Sequence, residues 1–266
     1  MDVVVIGGSG GLGRLICEEL KAKGHTSTVI GRRNIGDLDR VRAPLMINCA
    51  GASVALGLGH GLRGYRAVDV PIGMRAIAAA KRASARLVYV GVSHPPGLRD
   101  YAYVDAHERV AAAMRDIDGC VVRATGFMSA YAALLPIAKR GLIGDIGNGQ
   151  ARTNPICERD LAGIVVDVAL GGDGPRDVAA GGPEVLTRRD IIEAVVARAR
   201  RNVRIVRVPV WMAWMGAWYV RAFHPRIGQF MQFAVGLAEL DAIAPALGTT
   251  RFAEYLDGIT VRAAAA

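Results

Sequence analysis

The chain has 266 residues, a formal net charge of +9 and a pI near 9.8, with 52% apolar and 21% charged residues. It is long enough to bury a sizeable core and has no low-complexity tract, which excludes a disordered or fibrous chain. The basic balance invites nucleic acid or an anionic surface. Yet Arg198, Arg200, Arg201, Arg204 and Arg207 run from a helical into a strand pattern with no nucleic-acid motif beside them, which reads as a solvated face.

The opening Asp2-Val-Val-Val-Ile6 is a short β-branched run, as expected of a strand buried on both faces of a parallel sheet. Gly7-Gly-Ser-Gly-Gly-Leu-Gly13 follows, and then Leu12, Leu15, Ile16 and Leu20 recur at helical spacing up to Gly24. Strand, glycine turn and helix make the first half of a βαβ unit. Residues 27–30 predict strand two. Only residues 34–44 separate it from an apolar strand at 45–49, so the third strand is a stub around residues 35–38 or is missing. A helix over 70–83, a buried strand over 86–92, a helix over 104–114 and a strand over 120–123 complete this part. Beyond Thr125 the pattern predicts helices at 129–140, 159–170 and 188–201, a glycine-rich turn at 141–149, a strand at 204–208 and apolar helices to a frayed alanine tail. The expected architecture is an α/β, Rossmann-type doubly wound parallel sheet in one domain. Residues 1–124 form its nucleotide-binding core and 125–266 a small substrate-binding region.

Gly7, Gly10 and Gly13 form G-x-x-G-x-x-G between a strand and a helix, the setting of a dinucleotide turn. Glycines let the backbone bend tightly and approach a pyrophosphate, while the amides at the helix start, around Ser9, Gly10, Gly11, Leu12 and Gly13, face the phosphates. At the end of strand two, Arg32 and Arg33 stand where an acidic residue would hold the ribose 2′-hydroxyl of NAD. Their guanidinium groups suit the 2′-phosphate instead, favouring NADP(H) over NAD(H).

Other segments exclude further chemistry. Cys17, Cys49, Cys120 and Cys157 are widely spaced in apolar runs and read as reduced core residues. His25, His60, His94, His107 and His224 show no metal-ligand spacing, and no G-x-S-x-G elbow supports Ser93 as a hydrolase nucleophile. Residue 2 already lies in a strand pattern with no leader-like segment ahead of it, so the expected location is the cytoplasm. The longest uncharged apolar stretch, residues 208–220, is 13 residues, against the roughly 20 a spanning helix needs. Trp211, Trp214 and Trp218 sit there at i, i+3, i+7 with Met212 and Met215. That spacing is read equally as a core-facing helix, an apolar pocket lid, a dimer face or a weak membrane-surface contact.

With these segments placed, the sequence resembles the atypical short-chain dehydrogenase/reductases of the NmrA-like, NAD(P)H-binding branch, a group that includes divinyl chlorophyllide vinyl reductases and isoflavone-reductase-like proteins. Besides the glycine turn, the resemblance rests on Asn48-Cys-Ala-Gly-Ala-Ser53, Val68-Asp-Val70 leading to Ala79-Ala-Lys-Arg82, Leu87-Val-Tyr-Val90 and Arg123-Ala-Thr-Gly-Phe127. It continues through Asn154-Pro-Ile156, Arg159-Asp-Leu-Ala162, Gly181-Gly-Pro-Glu-Val-Leu-Thr187 and residues 244–249. It implies that Ala50 and Gly51 pass along the cofactor ribose and that Val90, Gly91 and Val92 flank the nicotinamide. Thr125 and Phe127 would border the reacting ring, with Asn154 and Pro155 shaping the pocket. Apart from the resemblance, the apolar run from Trp211 to Phe233, with Trp211 and Trp214, is expected to line or cover a site for a small apolar substrate.

The chain departs from that pattern in several places. The short 34–44 connection leaves Asp37 and Leu38 to take over the adenine contact, and Ala124 stands where proline is common. The family's Tyr-x-x-x-Lys pair is Tyr103-Val-Asp-Ala-His107, with histidine for lysine, and the serine position falls at Gly91, with Ser93 two residues later. The expected activity is NAD(P)H-dependent reduction of an apolar carbonyl or conjugated alkene, with Tyr103, His107 and Ser93 as catalytic candidates. The alternative is a non-catalytic NAD(P)-binding sensor or assembly factor.

Overall fold

The computed structural model describes residues 1–52, 61–172, 174–199 and 201–264; Ser53, His60, Arg200 and the end of the alanine tail lie outside the described residues. In chain order the first half runs β1 (Asp2–Ile6), α1 (Gly11–Ala22), β2 (Thr26–Ile30), β3 (Leu45–Asn48), α2 (Tyr65–Ala83), β4 (Arg86–Val92), α3 (Ala102–Ala113) and β5 (Gly119–Ala124). The second half adds α4 (Met128–Ala132), α5 (Leu135–Ala138), β6 (Leu142–Ile146), β7 (Arg152–Thr153), α6 (Glu158–Leu170), β8 (Asp177–Ala180) and β9 (Leu186–Thr187). It closes with α7 (Arg188–Ala197), β10 (Arg204–Val208), α8 (Val210–Phe223), α9 (Pro225–Leu237) and α10 (Phe252–Ala264).

Six strands make one parallel sheet in the order β2-β1-β3-β4-β5-β8. Alternation along each strand sends Val3, Val5, Ile47, Val88, Val90 and Val122 to one face, under α1 and α6. Val4, Ile6, Met46, Leu87, Tyr89 and Val121 go to the other, with Ala76, Ile77 and Ala80 of α2 and Val110 of α3. Burial on both faces is why these strands read as continuous apolar runs rather than alternating ones. The expected Rossmann-type sheet is present, and its sixth strand and one covering helix come from beyond residue 124. The sheet therefore does not end at that residue.

The short connection after β2 holds no strand stub. Residues Arg32–Asp39 form a kinked 3₁₀ segment, and β2 remains the sheet edge. Asn34 stabilises the entry by accepting from the Gly31 amide at 2.7 Å and donating to the Val29 carbonyl at 3.1 Å. Leu38 is completely buried beside Val4, Ile6 and Ile30, so it plugs the core under the sheet edge and is not available to an adenine. Asp37 is exposed.

Helix α2 starts at Tyr65, five residues before the periodicity predicts, and passes through Pro71. Pro71 has no amide to donate within the helix, and tertiary contacts hold the first turns instead: Tyr65 is buried, and its amide donates to Gln229 Oε1 at 3.1 Å. The helix expected over 129–140 is divided into α4 and α5, which pack with α7 and α10 around Met128, Leu135, Ile191, Val195 and Phe252. β6 pairs with β10, and β7 with β9, in two small separate sheets.

Asn154 ties this second half together. It is 1% exposed; its Nδ2 donates to the carbonyls of Gly182 at 3.0 Å and Ala244 at 2.8 Å, and its Oδ1 accepts from the Ala244 amide at 3.0 Å. A Cβ on Gly181 would lie 2.2 Å from that Nδ2, so only glycine permits the approach. The expected substrate contact at Asn154 gives way to a structural one, because every polar atom of the side chain is spent on backbone. Asn154→Ala should strand three buried backbone groups and cost about 2–4 kcal/mol of stability. Urea unfolding followed by far-UV circular dichroism measures the loss.

Candidate functional site

The amino end of α1 sits at the carboxyl edge of the sheet because the glycine turn is so tight. Gly7 has φ +90°, and a Cβ there would meet the Ala50 backbone at 2.7 Å; a Cβ on Gly13 would lie 2.1 Å from the Gly7 carbonyl oxygen. These two glycines fold the turn and press helix on strand. Gly11, by contrast, has nothing within 4 Å of its Cβ position, and Ser9, Gly10 and Gly11 are exposed. No side chain caps the helix, whose N-cap is Gly10. The first-turn amides of α1 thus have no side-chain acceptor, and the space beside Gly11 is open, which fits a pyrophosphate.

The end of β2 abuts this turn, since a Cβ on Gly31 would lie 3.0 Å from Ser9 Oγ. Arg32 and Arg33 follow directly, both exposed, and neither makes an ion pair among the described residues. On the opposite side, Asn48 is buried and its Oδ1 accepts from the Ala50 amide at 3.0 Å, fixing the strand-to-loop turn that carries Ala50 and Gly51. Val90, Gly91 and Val92 lie at the end of β4, all buried. The Ser93 amide donates to the Ala124 carbonyl at 2.7 Å, leaving the half-buried side chain of Ser93 at the strand end. Thr125 is buried and its hydroxyl donates to the Asn154 carbonyl at 2.7 Å, so it acts as a positioning residue for Phe127, which is half-buried at the start of α4.

Below the end of β4 the fold gathers a cluster of buried titratable groups. Tyr103 of α3 stacks edge-on to Tyr65 (ring centroids 4.9 Å apart) and to His107 (5.0 Å), and is covered by Phe230 and Phe233 of α9. Tyr103 and His107 thus share a helix face, as i and i+4 residues do, but in ring contact. His107 Nδ1 lies 2.6 Å from the Tyr89 hydroxyl. Burial, with Arg123 adding, lowers the His107 pKa to about 4 against the pull of Glu108, so the imidazole is neutral at pH 7. Burial likewise raises the phenols of Tyr65, Tyr89 and Tyr103 above the usual range, with the neighbouring Asp69 adding in each case. Tyr89 and His107 are thus both neutral, and the imidazole tautomer sets which of them donates in this hydrogen bond. The family role of a charged lysine that lowers the tyrosine pKa is accordingly not reproduced by His107.

Asp69 of α2 was visible in the sequence only inside a family motif; a lone carboxylate between Val68 and Val70 was the available signal. It is 3% exposed; Oδ1 accepts from the Ala52 amide at 2.6 Å, and Oδ2 is buried without a hydrogen-bond partner among the described residues. Burial raises its pKa to about 7, against the Ala52 hydrogen bond. Nearby, Glu108 bridges His94 (Nε2 at 3.4 Å) and Arg123, and Arg123 reaches Asp177 at 2.8 Å. Trp214 is half-buried against Tyr101 with centroids 6.0 Å apart, whereas Trp211 is 62% exposed. Among the described residues no group of three or more His, Cys, Asp or Glu could hold a metal ion, and no helix is long and apolar enough to cross a membrane.

This arrangement, a six-stranded parallel sheet with a glycine-turn helix at its carboxyl edge, defines a Rossmann-type α/β fold. No protein-family model and no curated protein matches the sequence. Among solved structures, the chain is similar to the human epimerase family protein SDR39U1 (isoform 2) with NADPH, at 20% identity and TM-score 0.72, covering 98% of this chain and 99% of that one. It is also similar to a dTDP-4-dehydrorhamnose reductase ortholog from Clostridium acetobutylicum, at 12% identity and TM-score 0.69 over 100% of both chains. A third is the Thermus thermophilus UDP-glucose 4-epimerase complex with NAD, at 17% identity and TM-score 0.57, covering 79% of this chain and 86% of that one. The shared feature is the fold.

Asp69 gives the site a pH signature. Its folded pKa lies above the unfolded value, so its contribution to stability is fully present below about pH 4 and is lost as pH rises through about 7. Asp69→Asn keeps the acceptor for Ala52 and removes the titration. Relative to the parent chain, its thermal midpoint should rise between about pH 4 and pH 7 and level off above that; parallel midpoint curves would show that Asp69 is ionised throughout.

Proposed function

We propose that the chain is an NADPH-dependent reductase of an apolar carbonyl or conjugated alkene. The observation that supports this best is the bare amino end of α1 beside two exposed guanidinium groups with no ion-pair partner among the described residues, Arg32 and Arg33. The α1 amides hold the pyrophosphate and the arginines hold the 2′-phosphate. Ala50 and Gly51 pass along the ribose, and Val90, Gly91 and Val92 wall the nicotinamide side. When bound, the nicotinamide supplies the hydride. Phe127 and Trp214 border the apolar substrate. Tyr103, whose raised pKa keeps its proton at neutral pH, gives that proton to the substrate, with the Ser93 hydroxyl orienting the accepting atom.

The human neighbour binds NADPH and the Thermus neighbour NAD, so the choice of cofactor on this chain rests on its own arginines. Changing Arg32 and Arg33 together to Ala should weaken NADPH much more than NADH, by roughly tenfold to a few hundredfold for two lost charge-assisted contacts. Titration of nicotinamide fluorescence measures both constants; equal weakening removes the argument for NADPH.

One observation favours a second reading, that of a non-catalytic NAD(P)-binding sensor or assembly factor: neutral His107 leaves Tyr103 with no cation beside it on α3. The two readings part on Tyr103→Phe. Measured by NADPH oxidation across a panel of enones, quinones and ketones, the substitution should cut turnover about 10²-fold while leaving NADPH binding intact. If no substrate in the panel is reduced and NADPH still binds, the sensor reading stands.

A further inference from the structure

All three tryptophans of the chain lie on α8, and the helix turns most of its apolar surface outward. Trp211, Met212, Met215, Trp218, Tyr219 and Phe223 are 49–70% exposed, while Ala217 is fully buried toward the body of the protein. An unbroken apolar face of this kind on a folded domain marks an interaction surface. The sequence around it has a one-sided charge: residues 194–238 contain seven arginines and no aspartate or glutamate. Arg204 and Arg207 are exposed on β10, the strand that leads into α8. Arg221, the only charge on α8, is placed over the Trp218 ring, 5.1 Å from its centroid, and donates to Gln232 Oε1 at 3.0 Å.

We infer that α8 is a docking face for an anionic lipid surface, on which it lies in the headgroup boundary with its tryptophans and methionines buried and the flanking arginines on lipid phosphates. Tryptophan, tyrosine and arginine are the side chains that suit that boundary, each having an apolar body and a polar or charged end. At 1.5 Å per residue the 14-residue helix is about 21 Å long, too short for the roughly 30 Å hydrocarbon core, so it rests along the surface. A second copy of the chain suits the face less well. A twofold contact opposes a patch to itself and brings arginine against arginine; of the two carboxylates beside Val210 at the helix start, Asp241 is already paired with Arg152, which leaves Glu239 alone to offset them. Lipid phosphates supply the missing charge. The inference is independent of the cofactor reading, since none of Trp211, Trp218, Arg204 and Arg207 is among the residues assigned to the dinucleotide.

The test uses the full chain with vesicles of phosphatidylcholine alone and of equimolar phosphatidylcholine and phosphatidylglycerol. Because the tryptophans report on α8 alone, emission shifting to the blue with the anionic vesicles, together with flotation and reversal by salt, is the expected result. Changing the exposed pair Trp211→Ser and Trp218→Ser should lower partitioning at least about tenfold, and Arg204→Gln with Arg207→Gln roughly tenfold. Trp214 remains in the first variant as a check that α8 is folded, and NADPH titration of both variants should match the parent chain. Failure to float with anionic vesicles overturns the inference, as does salt-independent binding to phosphatidylcholine alone. A dimer in light scattering that the tryptophan pair abolishes, without vesicle binding, would assign the face to a second copy.

Discussion

Helix α1 lies almost in contact with the turn that precedes it, and the remainder of the site is arranged around that closeness. Any side chain at Gly13 would collide with the Gly7 carbonyl oxygen, and any at Gly7 with the backbone at Ala50. The two missing side chains bring three backbone segments together: the end of β1, the start of α1 and the loop after β3. Three consequences follow from that one approach. The first amides of α1 emerge bare at the carboxyl edge of the sheet, Gly31 can come up against Ser9 and deliver Arg32 and Arg33 to the same edge, and Asn48 is left to fix the loop on the far side.

The interior next to this edge has an unusual electrostatic character. Three phenols, an imidazole and a carboxyl are packed together at low dielectric, and burial drives every one of them toward its neutral form. The surface, by contrast, is rich in guanidinium groups. A neutral, aromatic interior suits an apolar substrate and a proton donor that keeps its proton. The cations that reach it are guanidinium groups from elsewhere in the fold, Arg226 beside Tyr65 and Arg123 beside Tyr89 and His107, and not a lysine one turn beyond Tyr103. His107 stands at that position with its Nδ1 hydrogen-bonded to Tyr89.

The C-terminal half contributes more to the nucleotide fold than a simple two-part division allows. β8 completes the sheet, α6 covers it beside α1, and Asn154 clamps the segments at Gly182 and Ala244 against the Thr125 turn. The α8 and α9 pair then presents opposite faces to opposite environments: α9 caps the aromatic cluster, and α8 turns outward. Both helices are apolar, so composition alone does not distinguish the covering helix from the exposed one.

Local patterns in the sequence determined the first strands, the glycine turn and the helix after it, because those elements depend on β-branching, on glycine geometry and on short-range periodicity. The same patterns placed Arg32 and Arg33 at the end of β2. Long-range contacts decided the rest. Leu38, which the short connection suggests as an adenine contact, is a core plug, because with no strand in the connection after β2 its side chain packs under the sheet edge with Ala43. Asn154, a pocket residue by resemblance, is a clamp, because its partners lie 28 and 90 residues away in the chain. Asp69 gains its raised pKa from burial that no neighbour in sequence imposes. The tryptophan spacing established a helix with an aromatic stripe, but which way that stripe faces follows from how α8 packs on α9, and packing direction is a property of the assembled fold.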